Sequence, residues 1–232
     1  MRNATVLLEL LARGPAFQST TSLAEQSGLS VATAHRVLRS LAEAGLVRQS
    51  RRSQGYGLGL GLVRLSEKLL SELPVVRSLS PFLVDLRNLT RATIEICLLV
   101  DGAVIAVDRV DGLSEAGVFR ASRRLRPPAD SAAGRLLIAH AHAEVQKDYA
   151  ALLEVDHDQW DEWAAAPYVA LQSGRGDLQV AVPVLDNKGE VAAALSATAD
   201  DISDDDSAQA ITTVARHLAR AAETVQGAVA DE

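Results

Sequence analysis

The chain has little cysteine, few aromatic residues and no long apolar run, and each shortage narrows the kinds of protein it can be. A single cysteine, Cys97, among 232 residues excludes an internal disulfide framework and a multi-cysteine zinc site, so we expect a reducing, cytoplasmic compartment. Aromatic residues make up 3% and hydrophobic residues 48%, so the core must be built largely from Leu, Val and Ala. No segment reaches the roughly 20 apolar residues that span a bilayer, and the N-terminus lacks the features of a signal peptide. The composition predicts a soluble globular protein.

Charge is distributed unevenly along the chain. The net charge is −7, yet residues 1–60 hold seven arginines against three glutamates, which makes this part +4 and the remainder −7 − 4 = −11. An acidic surface repels a polyanion, so any contact with nucleic acid must be confined to the basic N-terminal part.

Three helices are predicted in the first 45 residues. The first covers Asn3 to Ala12 and stops at Gly14 and Pro15. The second begins with a capping box in "SLAE", in which Ser22 and Glu25 satisfy each other's backbone amides, and ends at Gly28. The third starts after a Ser30 cap, ends at Gly45, and turns an apolar stripe inward: Ala34, Val37, Leu38 and Leu41. Two short helices around a glycine corner predict a helix-turn-helix.

The segment "LVRQSRRSQGYGLG" after the third helix predicts a strand, a basic tip and a returning strand, which together form a wing. Arginine can bond guanine or clamp a phosphate, and short hydroxyls can approach the DNA backbone closely. A solvated helix face explains the helical arginines equally well, but the wing carries no acid, which favours DNA contact. The candidate DNA-binding residues are Ser30, Thr33, His35, Arg36, Arg39, Arg48, Arg51, Arg52 and Tyr56.

A further helix and a second domain follow the wing. Leu62 to Leu73 carries a narrow leucine stripe that suits a dimer-forming linker, although packing on its own domain is an alternative, and Pro74 ends it. Beyond it, a helix at "SPFLVDLRNLT", two hairpins, helical segments that run on through Trp160 to Leu171, and a closing helix from Ser207 to Val229 predict an α+β domain.

Nearly the whole chain resembles the IclR family of bacterial transcriptional regulators. The most specific segments are "TAHRVLRSLAEAGLV", "GYGLG", "SAAGRLLIAH" and "VAVPVLDNKGEVAAALSAT". The resemblance implies a winged helix-turn-helix DNA-binding domain over residues 1–60, a linker helix over 61–74, and a GAF-like antiparallel-sheet domain over 75–232 that binds a small effector and assembles homodimers or homotetramers. The implied function is a ligand-responsive regulator of transcription that binds a double-stranded DNA operator.

The resemblance also implies an effector site where a helix start meets two late strands. Ser131 or Asp130 can cap this helix, and its free amides attract carboxylates, so we expect a small organic acid; an ordinary capped helix is the alternative. Gln179 stands where the family often carries cysteine, which weakens the case for a carboxylate. The candidate effector-binding residues are Ser131, Ala132, Ala133, Gln179, Ser196 and Thr198.

Other functions receive less support from the residues. Cys97 lies in an apolar strand pattern that is typical of an inert buried thiol, and His140 and His142 point apart on a helix, so we expect no enzyme, no cofactor and no metal site. Arg120, Arg123, Arg124 and Arg126 could attract an anionic effector, but a solvated loop is the better interpretation. A sensor that acts through protein contacts, without DNA, remains the alternative function.

Overall fold

The computed structural model describes residues 2–112, 125–126, 128–153, 155, 157–172, 177–199 and 207–226. The chain divides into two compact units, Met1–Ser71 and Glu72–Glu232. Arg120, Arg123 and Arg124 of the predicted basic cluster lie outside the described residues. Within the described residues, no helix is both long enough and apolar enough to cross a bilayer.

The first unit is a three-helix bundle followed by a small antiparallel hairpin. Its elements are α1 Arg2–Arg13, α2 Thr20–Ser27, α3 Val31–Glu43, β1 Val47–Gln49, β2 Tyr56–Leu58 and α4 Gly61–Glu72. Gly28 forms the corner between α2 and α3 with φ +67°, a left-handed conformation that glycine adopts without steric cost. The core takes side chains from α1, α2, α3 and both hairpin strands, among them Leu7, Leu23, Leu38, Val47 and Tyr56.

Helix boundaries in this unit agree with the prediction except at the start of α2. The cap is Ser19, whose side chain accepts a hydrogen bond from the Ser22 amide, so the predicted capping box of Ser22 and Glu25 is wrong. Thr20 and Thr21 join the helix because Ser19 already supplies the acceptor that a helix N-terminus needs. The predicted Ser30 cap of α3 is confirmed.

The second unit holds a six-stranded antiparallel sheet between helices. Its strand order is β5-β4-β3-β8-β7-β6, and the strands are β3 Thr93–Val100, β4 Ala103–Val110, β5 Leu125–Arg126, β6 Val169–Gln172, β7 Leu178–Leu185 and β8 Val191–Ala199. The helices are α5 Pro74–Thr90, α6 Ala132–Ala139, α7 Ala143–Leu153, α8 His157–Ala165 and α9 Ser207–Val225, with a 3-10 turn at Pro128–Asp130 before α6. The predicted α+β class is confirmed.

Each face of the sheet carries its own core. Leu79 and Leu83 of α5 and Leu218 of α9 pack with Ile94 and Leu195 on one face. Across the sheet, a second core is made mostly of small residues of α6 and of the strands beneath it: Ala132, Ala133, Ala181, Ala194 and Cys97. The α6 helix therefore lies close to the strands.

Two elements differ from the prediction. Pro74 does not only end the preceding helix; it is the first residue of α5, where its missing amide costs nothing and its fixed φ suits a helix. The helix predicted from Trp160 to Leu171 ends at Ala165, and Val169–Gln172 pairs with β7 as the edge strand β6.

Candidate functional site

The outward face of α3 begins with a pair of bonded hydroxyls. Ser30 Oγ accepts a hydrogen bond from the Thr33 amide at 3.2 Å and donates one to Thr33 Oγ1 at 2.9 Å. The Ser30 hydroxyl proton is therefore used within the cap, while the Thr33 hydroxyl can still donate outward. His35 and Arg36 are exposed farther along the same helix.

The two arginines of α3 differ in their surroundings. Arg39 Nε lies 3.3 Å from Glu43 Oε1, one helical turn away, and both side chains are largely exposed. Among the described residues Arg36 has no ion-pair partner. The charge of Arg36 is therefore the less compensated of the two.

Three more arginines, Arg48, Arg51 and Arg52, lie on the β1–β2 hairpin. Arg48 stacks over the Phe17 ring with its Cζ 4.7 Å from the ring centroid, and its Nε donates to the Leu58 carbonyl at 3.2 Å. At the tip, Ser50 Oγ accepts from the amides of Arg52 and Ser53, which orders the turn. The Arg51 and Arg52 side chains are exposed.

Tyr56 does not belong to this surface. It is only 3% exposed and packs in the core of the first unit, while its backbone pairs with Gln18. Its inclusion among the DNA-binding residues is corrected for this reason: Tyr56 supports the hairpin from inside. The structure brings the other eight candidates together on α3 and the hairpin that follows it.

The start of α6 is satisfied by two side chains. Ser131 Oγ accepts from the Gly134 amide at 3.0 Å, and Gln179 Oε1, from β7, accepts from the Ala132 amide at 3.2 Å. Gly134 is required here because a Cβ would lie 2.0 Å from the Pro128 carbonyl oxygen. A helix N-terminus offers its amides to an acceptor, and two of them, those of Ala132 and Gly134, are already bonded to side chains.

Of the other candidate effector residues, Ala133 is buried on α6 itself, and Ser196 and Thr198 lie on β8. Thr198 is the register partner of Gln179, and Ser196 is the register partner of Ala181, so both hydroxyls share the face of the sheet that carries Gln179. Ser196 is 5% exposed, and its Oγ lies 3.7 Å from Cys97 Sγ. The structure thus brings the six predicted residues to one region of the second unit.

A buried charge pair on the same face was missed in the sequence. Glu95, the β3 register partner of Ser196, is 0% exposed, and Arg109 Nη1 lies 2.8 Å from its Oε1. Arg109 also donates from Nε to Asp111. Burial alone would lower the pKa of Arg109, but the Asp111 hydrogen bond and the two carboxylate charges raise it above its usual value. Glu95 inside the apolar strand "TIEICLLV" was the available signal.

An aromatic pair on α8 packs against α6. The Trp160 and Trp163 rings meet edge to face at 5.3 Å, and Arg135 of α6 lies over the Trp163 ring. Burial lowers the pKa of Arg135, and the Asp130 charge opposes that shift. Because these are the two tryptophans of the chain, their fluorescence can report changes at α6.

The first unit matches a known domain. Residues 2–51 match the model of the IclR helix-turn-helix domain. The chain is 27% identical over 191 residues to the HTH-type transcriptional regulator KdgR of Dickeya chrysanthemi, an alignment that covers 76% of this chain and 63% of that protein. The first unit of this chain is therefore similar to the helix-turn-helix domain of IclR-family regulators. The resemblance that the sequence motifs indicate is confirmed, and the family is one of transcriptional regulators, not of enzymes.

Solved structures of IclR-family regulators share the fold of this chain. The IclR transcriptional regulator from Alicyclobacillus acidocaldarius has a TM-score of 0.77 at 22% identity, with 97% of this chain and 96% of that one covered. An IclR homolog from Microbacterium hydrocarbonoxydans, solved in complex with 4-hydroxybenzoate, has a TM-score of 0.68 at 18% identity, with 96% and 98% covered. At these identities the likeness shows the fold alone.

Proposed function

We propose that this protein is a ligand-responsive regulator of transcription, a repressor or an activator, that binds an operator as a dimer or tetramer. The observation that carries the proposal is the set of five exposed arginines on α3 and the hairpin: Arg36, Arg39, Arg48, Arg51 and Arg52. They lie within residues 1–60, which carry a net charge of +4 in a chain whose net charge is −7. A surface of this kind neutralises phosphates along a duplex.

In this proposal α3 enters the major groove and the hairpin contacts the flanking backbone. Thr33, His35 and Arg36 face the base edges, with Ser30 at the start of the helix. Arg48, held by Phe17 and Leu58, and the ordered tip with Arg51 and Arg52 bind phosphates. Tyr56 is left out because it is buried.

Assembly of copies is proposed to use α4. No residue of α4 is buried, and Val63, Leu65 and Leu69 expose more than half of their surface. Exposed large apolar residues at helical spacing favour contact with a partner helix. A dimer would bind two half-sites about one helical turn, or a multiple of a turn, apart.

The effector site is proposed at Ser131, Ala132, Ala133, Gln179, Ser196 and Thr198. Buried hydroxyls, an amide and a helix N-terminus are groups that orient a small polar ligand. An acid is the expected effector because a helix N-terminus attracts carboxylates, and 4-hydroxybenzoate in the Microbacterium homolog is a small organic acid. Against that, the Ala132 amide is bonded to Gln179, and a carboxylate must displace this side chain to reach it.

The proposed switch is a difference in affinity. A molecule that binds one arrangement of the oligomer more tightly than another shifts the DNA-binding equilibrium by that difference. In this proposal the C-terminal unit is a GAF-like domain that makes no contact with DNA. Effector binding to it changes the DNA affinity of the α3 and hairpin surface in the first unit.

The test is binding of the full-length protein to labelled duplexes that cover the promoters beside its own gene, measured by fluorescence anisotropy over a salt series. We expect tight binding at low salt and a logarithmic slope near −0.9 for each phosphate contacted, altered by a metabolite that also raises the melting temperature. Weak, salt-insensitive binding to every duplex would instead identify a sensor that acts through protein contacts.

A further inference from the structure

One large apolar side chain on α3, that of Val31, is exposed although folding does not require it. Among the large hydrophobic residues of residues 2–57, only Val31 is exposed, at 51%. Leu7, Leu23 and Leu38 are 0% exposed in the same unit. Val31 belongs neither to the core cluster nor to the partly buried residues packed against it.

Formation of α3 does not require a valine at position 31 either. Val31 is the first residue of α3, directly after the Ser30 cap. The cap is completed by the Thr33 amide, and the buried stripe starts at Ala34. Valine has a lower helix propensity than alanine because its branched side chain loses rotamer freedom, so its presence is slightly unfavourable for the helix itself.

The position of Val31 is the one that meets base edges in the proposed complex. The N-terminal residues of a recognition helix contact the bases in the major groove. Thymine is the base that presents an apolar group there, its 5-methyl, and small apolar side chains pack against it. The branched side chain of valine presents its methyl groups in few rotamers, so little entropy is lost when they are held against a base.

We infer that Val31 is a specificity-determining residue that selects thymine by packing against its 5-methyl group, an inference that rests on the proposed DNA-binding function. A protein partner fits the surroundings less well. Ser30 and His35 beside Val31 are polar and exposed, and Arg36 adds positive charge, so Val31 is a single apolar contact on a cationic surface rather than part of an apolar patch.

The experiment truncates both sides of the contact: uracil lacks the 5-methyl group of thymine, and Val31→Ala removes both γ-carbons of valine. Duplexes bound by the full-length protein are selected from a random pool, and each thymine of the selected site is replaced in turn by uracil, which lacks the 5-methyl group and pairs identically. Dissociation constants are measured for the wild type, for Val31→Ala and for Val84→Ala. Val84 is the matched control because it is a valine, 46% exposed, on α5.

We expect one thymine in each half-site at which uracil weakens wild-type binding about four-fold, as loss of a methyl-sized apolar contact predicts. Val31→Ala should bind the thymine site about four-fold more weakly and show no further loss with uracil, while Val84→Ala behaves as the wild type. Unchanged circular dichroism and melting temperature of Val31→Ala would show that the fold is kept.

Two results would overturn the inference while the proposed function stands: specific duplexes that tolerate uracil at every position, or a uracil effect that persists in Val31→Ala. A pool from which the wild type selects nothing, at low salt and with cell metabolites, would remove the proposed function together with the inference.

Discussion

Arg36 and Arg39 both project from the outward face of α3, but Arg39 already has a carboxylate partner in Glu43. We therefore expect Arg36→Ala to weaken operator binding by about 1–3 kcal/mol if the side chain bonds a base, and Arg39→Ala to cost less. Fluorescence anisotropy with the selected duplex measures both. Arg36→Lys separates the two roles, because lysine replaces a phosphate contact but not a bidentate bond to guanine.

Glu43→Ala is the companion variant for this pair. Removing the carboxylate frees the Arg39 guanidinium and takes a negative charge away from the proposed interface, so binding should strengthen at low salt and converge with the wild type at high salt. Equal losses for Arg36→Ala and Arg39→Ala, with no effect of Glu43→Ala, would contradict the different roles assigned to the two arginines.

Replacing Arg109 should strongly lower the stability of the second unit. Glu95 is 0% exposed, and removal of Arg109 takes away the nearest cation from this buried carboxylate. Breaking a buried pair from one side costs about 3–5 kcal/mol, so we expect Arg109→Met to lower the free energy of unfolding in urea by that amount. Asp111→Asn is the control: its side chain is 41% exposed, and exposed pairs contribute about 0–1 kcal/mol.

The double variant Glu95→Gln/Arg109→Met should recover part of the lost stability, because it leaves no uncompensated buried charge. If Arg109→Met and Asp111→Asn were equally destabilised, the buried pair would not have the role assigned to it here.

At the scale of single residues, the sequence was informative where a side chain acts on its own backbone. The Ser30 cap could be predicted because the acceptor and the amide that it bonds are three positions apart. Tyr56 and Gln179 could not be placed in the same way. Their roles depend on partners far along the chain: Gln18 for Tyr56 and Ala132 for Gln179.

The N-terminus of α6 is bonded to Gln179 of β7. Substitution of Gln179 therefore tests the proposed effector site. Gln179→Ala leaves the buried Ala132 amide without its acceptor, which should cost about 1–3 kcal/mol and lower the melting temperature. A carboxylate can then take the vacated place at the helix N-terminus. We expect 4-hydroxybenzoate to raise the melting temperature of Gln179→Ala more than that of the wild type.

The neutral analogue 4-hydroxybenzamide, which lacks the negative charge, should stabilise both proteins equally. Gln172→Ala is the matched control variant, an exposed glutamine on the neighbouring strand β6. Emission from Trp160 and Trp163 gives a second measurement, because Trp160 packs with Ile138 and Ala139 of α6. Equal stabilisation of the wild type and Gln179→Ala by the acid would exclude Gln179 as the residue that controls access to the amide.

Whole helices and strands could be predicted where a single apolar periodicity, helical or alternating, runs between residues that end such an element. The apolar stripe of α3 and the hairpin around Asn187 to Glu190 are found as expected. Pro74 and Val169–Gln172 were misjudged, because proline is acceptable at the first position of a helix and a short apolar run fits a strand as well as a helix. Pairing with β7 decided the second case.

For the whole molecule, the opposite charges of the two parts of the chain were readable in the sequence, but the exposed apolar face of α4 was not. A leucine stripe alone cannot distinguish a helix packed on its own domain from one left open. In the structure α4 has no buried residue, and Leu65 and Leu69 are 53% and 60% exposed. This observation favours the dimer-forming interpretation.

Assembly through α4 should therefore be separable from folding. We expect Leu65→Glu/Leu69→Glu to remain folded by circular dichroism but to become monomeric by light scattering, because charged side chains cannot be buried in a helix–helix contact without a partner. Operator affinity should fall by at least about 100-fold, since two linked half-site contacts gain about that factor or more over one. The control is Val84→Glu/Leu89→Glu on α5, whose targets are 46% and 63% exposed. If the α5 variant dissociates while the α4 variant stays oligomeric, the interface lies in the second unit and α4 must be exposed for another reason.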